Sequence, residues 1–251
     1  MKVLVSLLIV LINLGTSKAQ TSNIYKISYD IYYNTDFPMM RKAELYISKE
    51  GNYSIFREDL QKKYRWNPKK NKGDDVAQSD YTMTVAKSIN ERYVENFKIE
   101  KEIVMFEDFA KIQYHIQDTY PDFSWHILSD KKIISGIECI KAEGTYRGNS
   151  FEVWFTNEIP LSFGPWKFCG LPGLILEAKT RNDEYSFVAT KIEHTDTIIS
   201  LPQVKLKDVT LKKFLEIKEE FYDRPYEVSR DTKFERVKMP RGGLELIYEW
   251  E

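Results

Sequence analysis

Histidine and cysteine are scarce in this 251-residue chain, three of one and two of the other, and the spacings that gather them around a metal, HEXXH and CXXC, are missing. A GXSXG nucleophile elbow and a glycine-rich phosphate loop are missing too. No catalytic residue and no metal ligand is therefore assigned, and no cofactor is expected. Charge of one sign is also lacking, since 37 lysines and arginines face 38 acids. Without a net field, nothing draws the chain to nucleic acid. Beyond the first twenty residues no apolar run approaches the ~20 residues needed to cross a bilayer as a helix, so no transmembrane segment is expected after cleavage of the leader. Internal repeats and low-complexity tracts are absent.

What is present begins with a leader. Lys2 supplies a positive end, residues 3–14 are apolar apart from Ser6 and Asn13, and Ser17-Lys18-Ala19 places small residues at the two positions that define a cleavage site. Residues 1–19 read as a secretory signal peptide, and its dozen apolar residues are too few for a membrane anchor. Residues 20–251 fit one domain, because sheet-rich folds reach roughly 200–250 residues before splitting. The expected location is outside the cytoplasm: periplasm, outer-membrane surface or medium.

Alternation dominates the first half. Tyr25, Ile27, Tyr29, Ile31 and Tyr33 alternate with Lys26, Ser28, Asp30 and Tyr32, a period of two that only a strand sorts onto opposite faces. Ala43, Leu45 and Ile47 repeat it, Glu50-Gly51 turns, and residues 53–57 return as the second arm of a hairpin. Further strand patterns cover 93–99, 102–106, 112–116, 123–128, 133–134, 137–146, 151–156, 174–179 and 185–192, separated by turns such as Arg147-Gly148-Asn149 and Arg181-Asn182-Asp183. Short strands joined by tight turns imply an antiparallel meander. The expected class is mainly β within α+β: one curved antiparallel sheet or half-barrel with one or two helices. The strong helix pattern is late, with Leu211, Phe214, Leu215, Phe221 and Tyr222 on one stripe and Arg224-Pro225 ending it. Residues 61–90 lose all periodicity behind a lysine- and arginine-rich run holding Tyr64 and Trp66, and read as an exposed insertion with a short helix near 81–87.

Cys139 and Cys169 are an even pair in an exported chain, which favours a disulfide. His115 and His126 sit in strand patterns and read as ordinary hydrogen-bonded side chains. The most unusual stretch is residues 154–178. There Trp154, Phe163, Trp166 and Phe168 flank three prolines and three glycines within fourteen residues, Pro160, Gly164, Pro165, Gly170, Pro172 and Gly173. Glycine permits positive φ and proline fixes its own φ, so the path is specified and irregular. Its aromatics either plug the mouth of the sheet or face a partner.

Gly170-Leu171-Pro172-Gly173-Leu174-Ile175 is the hexapeptide that names the GLPGLI family of exported proteins of Bacteroidetes-type bacteria, and residues 132–142 and 152–160 resemble the rest of its central block. The resemblance covers roughly residues 124–191, with Phe155 where tyrosine commonly follows the tryptophan. It implies an envelope or surface protein without an assigned activity. More distantly, the chain is similar to the bowl-like N-terminal accessory domain of some peptide-N-glycosidases and to half-barrels that carry lipoproteins in the periplasm, both of which imply a concave sheet. Three functional readings follow: a non-enzymatic binding or assembly module for a peptide, glycan, lipid or protein of the envelope; a hydrolase of extracellular polymers; or a carrier of lipid or another hydrophobic ligand.

Overall fold

The alternating segments pair as their faces require. The computed structural model describes residues 24–36, 38–60, 64–65, 91–196, 199, 205–223, 226–229, 232–234 and 243–251. The leader and nearly all of the 61–90 insertion, including its expected helix, lie outside the described residues. Strands β1 (Ile24–Tyr33), β2 (Met39–Ile47), β3 (Tyr53–Asp59), β5 (Glu91–Phe97), β6 (Glu102–Phe109) and β7 (Ile112–Thr119) form one antiparallel meander, and the two-residue β4 (Tyr64–Arg65) pairs with β2. A second meander consists of β8 (His126–Ile134), β9 (Ile137–Tyr146), β10 (Asn149–Thr156), β11 (Leu174–Thr180) and β12 (Tyr185–Thr195). β12 pairs antiparallel with β1, which welds the two into one sheet. Among the described strands only β13 (Lys207–Thr210) is parallel to its neighbour, β7. A separate hairpin joins β14 (Tyr226–Ser229) to β15 (Thr232–Phe234).

Connectivity forces this sheet to curl. β7 and β8 are consecutive in the chain, yet ten strand-to-strand steps separate them in the sheet. A flat sheet would set them about 48 Å apart at ~4.8 Å per step. The six residues between Thr119 and His126 reach only about 25 Å fully extended. The arms must therefore bend toward each other, and the linking residues cross the hollow between them. Phe123 of that link is 1% exposed, and its ring packs on Trp125, Tyr146 and Phe168. The expected strand over 123–128 is corrected accordingly: strand geometry starts at His126, because Phe123 is drawn inward as a core side chain. Bulges add bend. Thr190 of β12 and Leu176 of β11 are extra residues in their ladders, and residues 128–130 of β8 lie opposite the single Lys141.

The inner face carries the core. Ile27, Leu45, Phe56, Val94, Met105 and Ile116 stand in one row across six strands by register. Full burial of each such side chain is worth about 1.5–3 kcal/mol. The outer face is covered in part as well. Ile55, Tyr93, Val104 and Phe106 are buried there under Ile199 and Leu206, so the chain at these two residues lies over the outside. It then turns the edge at β13 and sends α1 (Leu211–Asp223) back across the inside, with Phe214 against Tyr114 and Phe109. Thr210 Oγ1 caps this helix by accepting from the Lys213 amide at 3.3 Å.

Candidate ligand cavity

The row on one side of the apolar one carries Glu58, Arg92 and Glu107 and the row on the other carries Asp118, and these charged side chains mark the two ends of the hollow. At one end Glu58 pairs across the strands with Arg92. Its carboxylate, 3% exposed, accepts from Tyr33 Oη at 2.5 Å, Arg41 Nη1 at 3.0 Å and Arg92 Nη1 at 3.1 Å. Arg92 also reaches Glu107 at 3.6 Å. Burial, reinforced by the Glu58 charge, pushes the Tyr33 hydroxyl far above its ordinary range, so it stays a donor. Arg41 Nε is buried without a partner.

At the other end Asp118 stands opposite Ile103. Arg147 grips it with two parallel bonds of 2.8 Å, and Lys167 Nζ adds a third at 2.7 Å. Both cations also hold Glu245, at 2.6 and 2.8 Å, and Arg147 bonds Glu249. Lys167 is fully buried. Burial alone would raise the Asp118 carboxyl, but the bonds and charges of Arg147 and Lys167 outweigh it and hold it below the usual carboxylate range. Arg147 lies in the left-handed region at φ 45°, followed by Gly148 at φ 82°, in the two-residue turn between β9 and β10. A non-glycine residue in that region is uncommon; the contacts of the Arg147 guanidinium explain its use. Its carbonyl oxygen accepts from the Leu246 and Ile247 amides, so the segment 243–251 is pinned across the mouth.

Between the two ends lies a cavity of about 440 Å³. Its apolar wall includes Phe56, Val94, Met105, Ile116 and Phe187 of the sheet. Trp166, the helix residues Leu211, Phe214 and Leu215, and Leu244 and Tyr248 of the C-terminal segment close it. Tyr33, Glu58, Arg92, Glu107 and Lys218 line one end, and Glu245 contributes from the Asp118 cluster. The volume lies within the ~300–1,000 Å³ typical of small-ligand sites, and an apolar body with few polar groups is the usual composition.

The stretch singled out in the sequence is divided by this geometry. Phe163 and Phe168 are 0% and 1% exposed and belong to the core, whereas Trp166, with φ 52°, reaches the cavity. Trp154 faces away from them, since Val153 and Phe155 take the inner side, and its ring lies 4.3 Å from Lys132 Nζ. Gly170 sits at φ 94°, and a Cβ at Gly173 would fall 1.9 Å from the Thr156 carbonyl oxygen, so that position admits no side chain. Gly164 packs against Ile175, and Leu171, Leu174 and Ile175 are buried beneath the loop that Pro165 and Pro172 shape. Cys139 and Cys169 are two separate buried thiols, and the expected bridge is not formed. Their surroundings differ: Cys139 feels Lys132, Glu177 and Glu158, while Cys169 meets Tyr120 and Asn96. Burial pushes the Cys139 thiol to about 11 and raises that of Cys169. His115 Nδ1 bonds Asp208 at 2.8 Å, and among the described residues no group of three or more metal-ligating side chains converges.

Sequence reasoning missed Glu58, Arg92, Asp118, Lys167, Lys218 and Glu245. A signal for some was available, because Glu58 and Asp118 occupy inward positions of alternating strands where an apolar residue would ordinarily stand.

No curated protein matches this sequence. Among solved structures, two crystal forms of PNGF-II, in space groups P21 and C2, are similar in fold, with TM-scores of 0.52 and 0.51 at 13% identity. The match covers 86% and 82% of this chain but 38% and 35% of those proteins. The chain thus spans little more than a third of their length. The sequence model described as the N-terminal domain of N-glycanase peptide matches residues 61–216, more than half of the chain. By that match the chain belongs to the family of N-glycanase peptide N-terminal domains.

Proposed function

We propose that this chain is an exported, non-catalytic binding module whose hollow receives a small ligand with an apolar body. The observation that carries the reading is the 440 Å³ cavity, walled by the central row of the sheet and closed by Trp166, α1 and the C-terminal segment. Its buried carboxylates support binding over chemistry. Glu58 and Glu245 each already hold two cations, which leaves neither free to move a proton to or from a substrate. Membership of a family described as an N-terminal domain, with similar folds in much longer proteins, supports an accessory role. The GLPGLI resemblance and the leader at residues 1–19 support an envelope location; intact mass of the native protein should lack the leader.

The test of the cavity uses the uncharged dye phenylnaphthylamine, whose fluorescence rises in apolar surroundings. Wild-type protein should bind it saturably at one site. Met105→Trp and Leu215→Trp both fill the hollow from opposite walls and should abolish binding while circular dichroism stays unchanged. Saturable binding that survives both substitutions would place the ligand elsewhere and defeat the reading.

A further inference from the structure

At the polar end of the cavity the charge pairing is incomplete. Of the charged groups lining the cavity, Glu58 is held by Arg41 and Arg92, Glu245 by Arg147 and Lys167, and Arg92 is divided between Glu58 and Glu107. Lys218 differs. Its ammonium lies 5.4 Å from the Phe214 ring centroid and 5.7 Å from that of Phe109, and among the described residues no carboxylate pairs with it. Aromatic faces hold a cation in place without neutralising it, so its charge remains available to a ligand.

Lys218 also stands at the right end. Phe109 and Glu107 lie on the same inward-facing side of β6, two residues apart, and Glu107 reaches Arg92. The opposite end is occupied by the Asp118 cluster with Trp166 and Tyr248. A ligand entering the hollow therefore meets apolar walls deep inside and a cation at its outer end. On charge, Arg41, Arg92 and Lys218 face Glu58 and Glu107 there, which leaves one positive charge unmatched among these side chains.

Resting on the cavity as the ligand site, we infer that it takes an amphiphile with an apolar chain and a single anionic head, whose carboxylate or phosphate is met by Lys218. Arg92 lies beside it and lends its field. The apolar chain lies along Phe56, Val94 and Met105. An uncharged head of the same chain length forfeits the Lys218 contact and gains nothing in its place.

The experiment is competition against bound phenylnaphthylamine, with dodecanoate, dodecyl phosphate and dodecanol as competitors below the critical micelle concentration of each. Both anions should outcompete the alcohol by about fivefold at low salt, the upper range for a partly exposed ion pair. The margin should narrow as salt rises. The preference of one anion over the other distinguishes a fatty-acid-like ligand from a phospholipid-like one. Lys218→Met should erase the anion-over-alcohol margin, and Lys218→Arg should keep it. Equal competition by acid, phosphate and alcohol in the wild-type protein, or a margin that persists in Lys218→Met, would overturn the inference while leaving the cavity as a binding site. If the dye itself fails to bind, the proposed function falls first.

Discussion

At the Asp118 end of the hollow, Arg147 and Lys167 are shared between Asp118 and Glu245, and the four side chains are between 0% and 12% exposed. At the Glu58 end, the carboxylate is equally buried at 3%, but one of its cations, Arg92, is 41% exposed and its other, Arg41, keeps an unpartnered Nε. The same residue types thus build a closed cluster at one end and an open one at the other. The closed cluster ties four separate parts of the chain together: β7, the β9–β10 turn, the Trp166 loop and the C-terminal segment. The open cluster is formed wholly by neighbouring strands of the sheet and lines the cavity. One set of charges thus fixes the shape of the hollow, and the other lines the space within it.

The comparison breaks most readily at Lys167. Removing one partner of a buried ion pair strands the other charge and is typically worth about 3–5 kcal/mol. Lys167→Met, which keeps much of the side-chain length, should lower stability by that amount, read from the urea midpoint. A loss no larger than that of a surface lysine would mean the cluster does not hold the fold. Asp118→Asn should follow at about 2–4 kcal/mol near neutral pH. Here pH supplies a check. The folded carboxyl lies below its ordinary value, so its contribution is complete above the unfolded value of ~3.9 and fades as pH falls through the folded one. The gap between wild type and Asp118→Asn should therefore shrink in acid, and a gap constant down to pH 2 would remove Asp118 from the pairing.

Much of the sheet was legible because alternation is local. The row from Tyr25 to Tyr33 matches β1 within a residue, 137–146 coincides with β9, and the stripe from Leu211 matches α1. The curvature was not, since it follows from β12 pairing with β1 and from the short link between β7 and β8, which are long-range facts. The aromatic loop was legible as a fixed path through its glycines and prolines, but not the burial of Lys167 among Trp166 and Phe168. A lysine between aromatics in sequence reads as solvated; only Asp118, 49 residues earlier, and Glu245, 78 residues later, account for it. The cysteine pair misled for the same reason, because an even count says nothing about which neighbours the fold assigns each thiol.

The open cluster should respond more weakly. Glu58→Gln retains an oxygen to accept from Tyr33, and Arg92 keeps Glu107, so the expected loss is about 1.5–3 kcal/mol, typical of hydrogen bonds to a charged group. The sharper readout is the ligand. With Glu58 neutral, Arg92 is freer to meet an anionic head, and the dodecanoate-over-dodecanol margin should widen. A stability loss matching that of Lys167→Met would erase the distinction between the two ends.

The smallest effect has the opposite sign and isolates the role of the cations. Glu95, 6% exposed on the outer face, is a buried carboxylate that Tyr53 Oη bonds, and no Arg or Lys is paired with it among the described residues. Burial raises its carboxyl above the ordinary value, and the Tyr53 bond and the nearby His115 only partly offset this. A raised folded value means that folding favours the protonated form. Relative to the unfolded chain, the group is stabilising below its unfolded value of ~4.3 and becomes a burden as pH rises through the folded one. Glu95→Gln should therefore stabilise the protein near pH 7 by about 1 kcal/mol, or roughly 2–4 °C in melting temperature. The gain should disappear near pH 4, where wild-type Glu95 is itself neutral. Stabilisation at both pH values would assign the gain to packing, and destabilisation at pH 7 would mean that an unpaired buried carboxylate is as useful here as the paired ones at Glu58 and Asp118.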